Sequence, residues 1–363
     1  MGIESGCLWV CVRMPKRNWR TLLEPVRFQD RHLESTNRDC VPEPKILIAI
    51  INHNTREELR VCLESLRGSS ARLVVFDNGS SDGSAAMVRC EHAGVLVIEN
   101  QQNLGYGAAA NRVFLDTELA QDAEFLLVSN SDVIFPPNAV CCLIEDLVRH
   151  PEAAAAGPRL VNPGGSLQRS CFAFPGALRW VFDNDAVCTF LRFLPGLRGA
   201  LLRLWLHDQE RPIPWVKGAV MAVRRTAFEQ AGGFDESFFM YYEDADLCYR
   251  LGRLGWLTRF TPRAEVIHHG GASTKKARPA MTIQLYVSSM RFARHHYSPY
   301  HFTVLFWLWK AVLCIRLLRD WMRLTWMADG DRRESIQQDL RAWRSALLWG
   351  FDRVELQELC SHL

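Results

Sequence analysis

No Cys-x-x-Cys pair occurs among the twelve cysteines of this 363-residue chain, and Cys141 and Cys142 sit side by side in a helix-patterned segment, where they cannot easily bridge. That spacing excludes a disulfide framework and predicts reduced, mostly buried thiols in a cytoplasmic protein. An excess of one charge is also missing. The 43 basic and 40 acidic residues leave a net charge of +3, too small to argue for nucleic acid as a partner. No secretory pattern opens the chain, because the apolar run Cys7 to Val12 is short and basic residues follow it rather than precede it. Residues 1–44 lack any sustained period, carry Pro15, Pro25, Pro42 and Pro44, and read as a poorly ordered leader.

From Lys45 onward a regular pattern begins. Ile46 to Ile51 is a continuous, β-branched apolar run, the mark of a strand covered on both faces. Thr55-x-x-Glu58 reads as a capping box opening a helix through Leu59, Cys62, Leu63 and Leu66, which Gly68 ends. Further strands are predicted at Leu73–Phe76, Val95–Ile98 and Phe125–Val128, with helices between them. Such alternation calls for a parallel sheet with helices on both faces. The second half is less regular. It offers a strand at Ala219–Val223, a helix from about Tyr242 to Leu254 and a strand at Ala264–Ile267. Long loops rich in Trp, Phe, Pro and Gly between Asn162 and Pro214 suit a lid or acceptor surface.

In sheets of this kind ligands bind beyond the carboxyl ends of the strands. Asn52-His53-Asn54, Asp77 to Asp82 and Asn130-Ser131-Asp132 all fall at those ends. Asp77-Asn78-Gly79-Ser80-Ser81-Asp82 offers acceptors and backbone donors suited to a base and ribose, or simply makes a turn. Asp132 offers the oxygen ligand a hard divalent cation wants, although Asn-Ser-Asp also forms an Asx turn unaided. Asn103-Leu104-Gly105-Tyr106-Gly107 holds a weak dinucleotide fingerprint, or glycines that admit a close neighbour. Glu243, Asp244 and Asp246 crowd three acids into four positions. Asp246 can pair with Arg250 at i+4, leaving Asp244 or Glu243 for a substrate, or all three can serve the helix dipole. His268-His269-Gly270-Gly271 puts imidazoles at a strand end, where one can meet a metal or a diphosphate.

Near the carboxyl end, His301 to Trp326 contains no Gly or Pro, and Phe302 to Ile315 is apolar apart from Thr303 and Lys310. The run is short against the roughly 20 residues that span a bilayer, and Arg316, Arg319 and Arg323 recur at helical spacing. An interfacial amphipathic helix is expected, with a helix packed on the globular part as the other reading.

Taken in order, these segments resemble the inverting family 2 glycosyltransferases of the GT-A fold. The matching strings are Ile51 to Asn54, Asp77 to Asp82, Asn103 to Gly107 with Asn111, Asn130 to Asp132, Lys217-Gly218-Ala219, Gly232 to Glu236, Glu243 to Asp246, and His268 to Gly271. Within that family the chain looks most like bacterial rhamnosyltransferases of cell-surface polysaccharide synthesis.

The resemblance implies an α/β fold of GT-A type: a Rossmann-like, mostly parallel central sheet with helices on both faces, plus a C-terminal helical extension. It implies a leader at 1–44, a transferase domain at 45–300 divided near residue 135, and an extension at 301–363. A donor site of Asn52, Asn54, Asp77, Asn78, Ser80, Asp82, Asn103, Gly105, Gly107, Asn111, Asn130, Ser131, Lys217 and Gly218 follows. So do a divalent cation (Mg2+ or Mn2+) on Asp132 and His268, and a general base at Asp244 beside Glu243. Asn130 stands where the strict Asp-x-Asp pattern has its first acid. The expected partners are a nucleotide-diphosphate sugar, a glycan or polyprenyl-diphosphate-linked acceptor, and the cytoplasmic membrane surface, reached through the C-terminal helix. Two other readings are a nicotinamide-dependent oxidoreductase built on the Gly105/Gly107 loop and a non-catalytic scaffold of polysaccharide assembly.

Overall fold

Seven residues of nearly unbroken aliphatic character, Ile46–Asn52, form strand β1. Leu47, Ala49 and Ile51 enter one apolar cluster while Ile48 and Ile50 enter another. That division follows from the two-residue period of a strand with both faces covered. The computed structural model describes residues 45–175, 205–270, 278–326 and 330–348. The expected leader therefore lies outside the described residues, as does much of the expected lid. In this structure β1 pairs in parallel with β2 (Arg72–Asn78) and with β4 (Phe125–Asn130), and β2 pairs in parallel with β3 (Leu96–Asn100).

Helices α1 (Arg56–Ser65), α2 (Ser84–Glu91) and α5 (Ala139–Arg149) bury Leu59, Leu63, Met87, Val88, Leu143 and Leu147 on one face of the sheet. Helix α3 (Tyr106–Phe114) buries Ala109, Ala110, Val113 and Phe114 on the other, and the single turn α4 (Thr117–Ala120) leads into β4. The α/β class is the one that the alternating pattern specified.

The second half turns the sheet mixed. β11 (Val220–Arg224) lies antiparallel between β4 and β6 (Ala153–Val161). β12 (Leu257–His268) runs parallel to β6 and antiparallel to both β5 (Val133–Ile134) and β9 (Arg211–Ile213). The hairpin strand β7 (Leu167–Gln168) edges β6. A separate pair, β8 (Cys171–Phe172) and β10 (Trp215–Val216), runs antiparallel beside it. Helices α6 (Arg225–Gln230) and α7 (Glu243–Arg253) add Phe228, Leu247 and Leu251 to the first cluster.

Three expectations are corrected. Ala153–Val161 carries the helix-forming run Ala-Ala-Ala-Ala, yet it forms a strand that is not among the expected elements. It is one because small side chains suit a site closed on both faces, where even a Cβ on Gly157 would fall 1.9 Å from Val216. β12 is twelve residues long rather than four. Thr55 makes no capping bond to α1; Asp82 does so instead, its Oδ2 accepting from Arg56 N at 2.9 Å. The described cysteines are free, but only Cys62, Cys171 and Cys248 are buried, while Cys90, Cys141 and Cys314 are exposed.

The tail consists of α8 (Arg278–His296), α9 (Pro299–Trp326) and α10 (Gly330–Leu348). Ile283, Val287 and Met290 of α8, Trp309 and Leu313 of α9, and Trp343 and Ala346 of α10 make a third cluster. The apolar run that looked short therefore sits in a helix long and apolar enough, by length and composition alone, to cross a bilayer. One face of α9 is packed. Along the other, Tyr300, Trp307, Leu308, Ile315, Leu318, Trp321 and Met322 are exposed.

Candidate functional site

At the carboxyl ends of β1, β2 and β4 the polar loops are tied to one another. Asn52 Nδ2 and Asn54 N both donate to Ser80 Oγ, at 3.1 and 2.9 Å, and Asn54 Oδ1 accepts from Ser81 N. Thr55 Oγ1 donates to Asn52 Oδ1 at 2.8 Å and lies 2.6 Å from Ser131 Oγ. Asp82 binds the N–H groups of Arg56 and Ser84, so its carboxylate braces the loop from behind. Asp77 is buried and accepts from Ser80 N through Oδ1. Its Oδ2 forms no hydrogen bond among the described residues.

Several residues expected at the donor are engaged elsewhere. Asn78 donates to Asn103 Oδ1 and to the Gly105 carbonyl, and accepts from Leu104 N. Gly105 has φ +88°, and a Cβ there would fall 2.2 Å from the Phe239 carbonyl oxygen. Tyr106 N donates to that same oxygen at 3.0 Å. The amino end of α3 is thus filled by backbone, which leaves no seat for a dinucleotide pyrophosphate and removes the oxidoreductase reading. Gly107 abuts Phe234 and Glu243. Asn111 clamps the turn before α7: Nδ2 donates to the Phe234 carbonyl and Glu236, and Oδ1 accepts from Phe234 N. Gly105, Gly107 and Asn111 thus tie α3 to the Phe234–Phe239 turn and to the start of α7.

Where β4 ends, Asp132 Oδ1 stands 3.2 Å from His268 Nε2, and Asn130 Nδ2 lies 3.3 Å from the same nitrogen. Gln168 fixes the imidazole. Its amide nitrogen donates to Asn162 Oδ1 and the His268 carbonyl, so its oxygen faces His268 Nδ1 and accepts the proton there. Nε2 then turns a lone pair toward a carboxylate oxygen. Two acceptors facing across that gap, both buried, form a donor set that fits a hard divalent cation, and an Nδ1–H held by a neighbour is the usual support for a ligating histidine. His269 is exposed and gives only its backbone N–H, to the Asp132 carbonyl. Between the two histidines the geometry favours His268.

The other carboxylates approach the same strand junction. Asn130 N donates to the Ala219 carbonyl, just past the last β4–β11 pair, Ser129 with Val220. Asp244 Oδ2 accepts from Gly218 N at 2.6 Å, and the Tyr106 hydroxyl donates to the Gly218 carbonyl. Gly218 is held so tightly that an added Cβ would meet Asp244 Oδ2 at 3.3 Å and Tyr106 at 3.4 Å. The Lys217 ammonium is pulled below its ordinary range by burial, against the opposing charges of Asp244 and Asp132. The Tyr106 phenol, driven up by burial, feels Glu243, Asp244 and Asp132 as well. Asp132, just after β4, and the acids of α7, more than a hundred residues apart in the chain, are thus brought to the strand junction at Gly218–Ala219.

Within that group Asp244 is pushed up to about 6 by burial, opposed by the N–H bonds of Gly218 and Ala245 and by Lys217. Glu243 is driven well above the carboxylate range by burial and the Asp244 charge, and its Oε2 has no hydrogen-bond partner among the described residues. Asp246 is set apart, with Arg250 Nε at 2.7 Å and His296 Nε2 at 2.6 Å, as the i+4 spacing predicted for the arginine. Tyr241 and Tyr242, just before these acids, have φ of +65° and +68°. Left-handed backbone in two bulky residues is strained and gathers at functional sites.

Two further clusters of acid and histidine, Asp146–His150–Glu210 and Asp235–Asp246–His295, are taken up by ion pairs. The first is held by Arg259 and Arg149, the second by Arg250 and His296. Of the residues this site uses, the sequence reading passed over Gln168, and it named Thr55 only as a helix cap and Tyr106 only as part of the glycine string.

A parallel nucleotide-type half, a carboxylate–histidine pair and a buried base-like aspartate describe a protein that handles a nucleotide-linked substrate. Comparison with known proteins makes the class specific. The Glycosyl transferase family 2 model matches residues 47–172, and the Glycosyl transferase family group 2 model matches residues 201–344. The N-acetylglucosaminyl-diphospho-decaprenol L-rhamnosyltransferase of Mycobacterium tuberculosis is 31% identical over 292 residues, covering 74% of this chain and 90% of that protein. Rhamnosyltransferase WbbL of Escherichia coli is 22% identical over 228 residues, covering 62% of this chain and 83% of WbbL. A solved mannosyltransferase, PcManGT of Pyrobaculum calidifontis in complex with GDP-Man and Mn2+, has a TM-score of 0.47 at 15% identity, covering 88% of this chain and 79% of that one. The chain belongs to the family 2 glycosyltransferases. Within them it resembles the rhamnosyltransferases.

Proposed function

We propose that this glycosyltransferase moves a sugar, rhamnose by likeness to its relatives, from a nucleoside-diphosphate donor to a hydroxyl of a polyprenyl-diphosphate-linked glycan, with inversion at the anomeric carbon. The observation that carries the reading is that Asp244 Oδ2 accepts from Gly218 N, while Asp132, paired with His268 Nε2, follows Asn130, whose N–H binds the adjacent Ala219 carbonyl. Asp77 Oδ2 takes a donor N–H from the base. Asp132 and His268 hold a divalent cation, Mg2+ or Mn2+, which when bound offsets the charge of the diphosphate. Asp244 accepts the acceptor hydroxyl's proton as that oxygen bonds to the anomeric carbon from the face opposite the diphosphate. The bond to the diphosphate breaks, its electron pair leaves with the diphosphate oxygen, and configuration inverts. The N–H bonds of Gly218 and Ala245 fix the carboxylate's direction, and Lys217 adds positive charge between the acids. The enzyme works on the cytoplasmic membrane face, where the exposed apolar side of α9 meets the lipid that carries the acceptor.

The test is transfer from nucleoside-diphosphate rhamnose to N-acetylglucosaminyl diphosphate bearing a short prenyl chain, with the product's anomeric configuration read by NMR. Inverted product that disappears with chelator supports the reading. Retained configuration, or no transfer with any nucleotide sugar and metal, overturns it.

A further inference from the structure

A buried phenol, Tyr106, stands near the acids, and the chemistry proposed above leaves it idle. It is the first residue of α3 and is held at both ends. Its N–H donates at 3.0 Å to the carbonyl of Phe239, in the lead-in to α7. Its hydroxyl, at the far end of the ring, donates to the Gly218 carbonyl. Gly218 N in turn donates to Asp244 Oδ2 at 2.6 Å. A Cβ added at Gly218 would meet Asp244 at 3.3 Å and the Tyr106 ring at 3.4 Å, so the glycine is sandwiched between phenol and carboxylate. Its chain neighbours are pinned by their backbones, Lys217 N to the Ser170 carbonyl and the Ala219 carbonyl to Asn130 N. Between those bonds Gly218 has one carbonyl and one N–H to place; Tyr106 takes the first and Asp244 the second. Packing alone does not ask for the hydroxyl. Tyr106 sits in the apolar cluster with Ala109, Ala110 and Phe114, where phenylalanine would bury the same ring without a polar atom.

Resting on the glycosyl-transfer reading above, we propose that Tyr106 is a positioning residue for the reaction: by holding the Gly218 carbonyl it aims the Gly218 N–H at Asp244 and so fixes the base against the acceptor hydroxyl. The hydroxyl binds the peptide that follows Gly218, while the N–H belongs to the peptide before it. The effect is therefore one of placement, carried through a single residue, and not polarisation of one amide. The titratable groups within reach of the Asp244 charge are Glu243 beside it, Cys248 one turn on, Lys217 from the strand junction and Tyr106 from α3. Asp132 acts on the last two, and Asp246 is turned to Arg250 and His296. Burial drives the phenol up, so it stays neutral, and Tyr106→Phe changes no charge in this group. The variant removes one hydrogen-bond donor and keeps the ring. A rise in the Asp244 titration then reports loosening of the Gly218 N–H bond, which favours the ionised carboxylate.

NMR of the full chain carrying carboxyl-labelled aspartate reads that titration without turnover, the Asp244 signal being assigned by its absence from Asp244→Asn. In the native chain the midpoint falls at about 6. In Tyr106→Phe it moves up by about one pH unit, the scale of one hydrogen bond to a charged group. In the transfer assay kcat falls about tenfold while donor and acceptor KM stay within about twofold. In the Asp244→Asn background Tyr106→Phe costs nothing further, because the group it serves is already gone. A midpoint that stays put or moves down overturns the proposal, since a tyrosine that only packs would cost melting temperature and leave the titration alone. An unchanged kcat, or a loss that adds in full to that of Asp244→Asn, overturns it as well. A raised midpoint in a chain that transfers no sugar supports the hold on Asp244 and counts against the transfer reading, so the two fail separately.

Discussion

Two adjacent carboxyls, Glu243 and Asp244, are separated by their partners. Asp244 receives two N–H bonds and a nearby ammonium that favour its ionised form, whereas Glu243 Oε2 has no hydrogen-bond partner among the described residues and sits beside that ionised neighbour. Glu243→Gln, which keeps shape and neutrality, is expected to retain activity within a few fold. Asp244→Asn is expected to lower kcat by about 10²-fold or more with donor binding unchanged, the scale of a general base. The pH profile of kcat/KM for the native chain should rise through about 6. The stability effect has the opposite direction. A carboxyl raised in the fold contributes stability below its unfolded value, near 4, and loses it as pH climbs through about 6. The melting-temperature gain of Asp244→Asn should accordingly be larger at pH 8 than at pH 5. At the proposed metal pair of Asp132 and His268, Gln168→Leu strips the acceptor from His268 Nδ1. Calorimetric titration of Mn2+ should show affinity reduced about 10- to 100-fold, the usual loss when such support is removed. Both acids were legible in the sequence because three carboxylates in four positions are hard to explain otherwise. Gln168 was not, since a lone glutamine in an irregular stretch carries no pattern.

Among the elements, the contact of α3 with α7 decides the shape of the site. Gly105 touches the Phe239 carbonyl, and Asn111 binds both backbone polar groups of Phe234, so the acidic helix is held by the helix that follows β3. Gly105→Ala should destabilise by about 2 kcal/mol or more, from the left-handed backbone and the displaced carbonyl, with loss of transfer to match. Denaturant unfolding of the variant measures it, and an unchanged midpoint would show that α3 tolerates separation from Phe239. The Gly-Tyr-Gly string was visible in the sequence but its partner was not, because Phe239 lies over a hundred residues away. The same limit applies to Thr55. Its spacing from Glu58 fits a capping box, yet a buried hydroxyl 2.6 Å from Ser131 serves the strand junction, and the remote Asp82 caps α1.

For the whole molecule, the tail is the element through which the proposed chemistry would reach a membrane surface. α9 buries Trp309 and Leu313 against α8 and α10 while presenting Trp307, Ile315, Leu318 and Trp321 outward, with Arg319 and Arg323 exposed toward one end. Arg316 is half-buried, over the rings of Tyr286 and Trp343. Removing the tail would uncover the third apolar cluster, so substitution is the cleaner probe. Trp307→Asp with Trp321→Asp should abolish flotation with anionic vesicles and leave the melting temperature within a few degrees, because exposed positions contribute little to folding. Continued flotation would disconnect this face from the membrane.

The sequence by itself determined the alternating α/β half, the strand-end loops and the family, because these rest on local periodicity and on short strings read within one segment. Only the tertiary structure decided which polar residues face a ligand and which brace the loops. It also decided that Ala153–Val161 is a strand and that Asp132 and Asp244 share one junction. Each of these depends on what a distant segment places beside the residue, and a linear pattern carries no record of that neighbour.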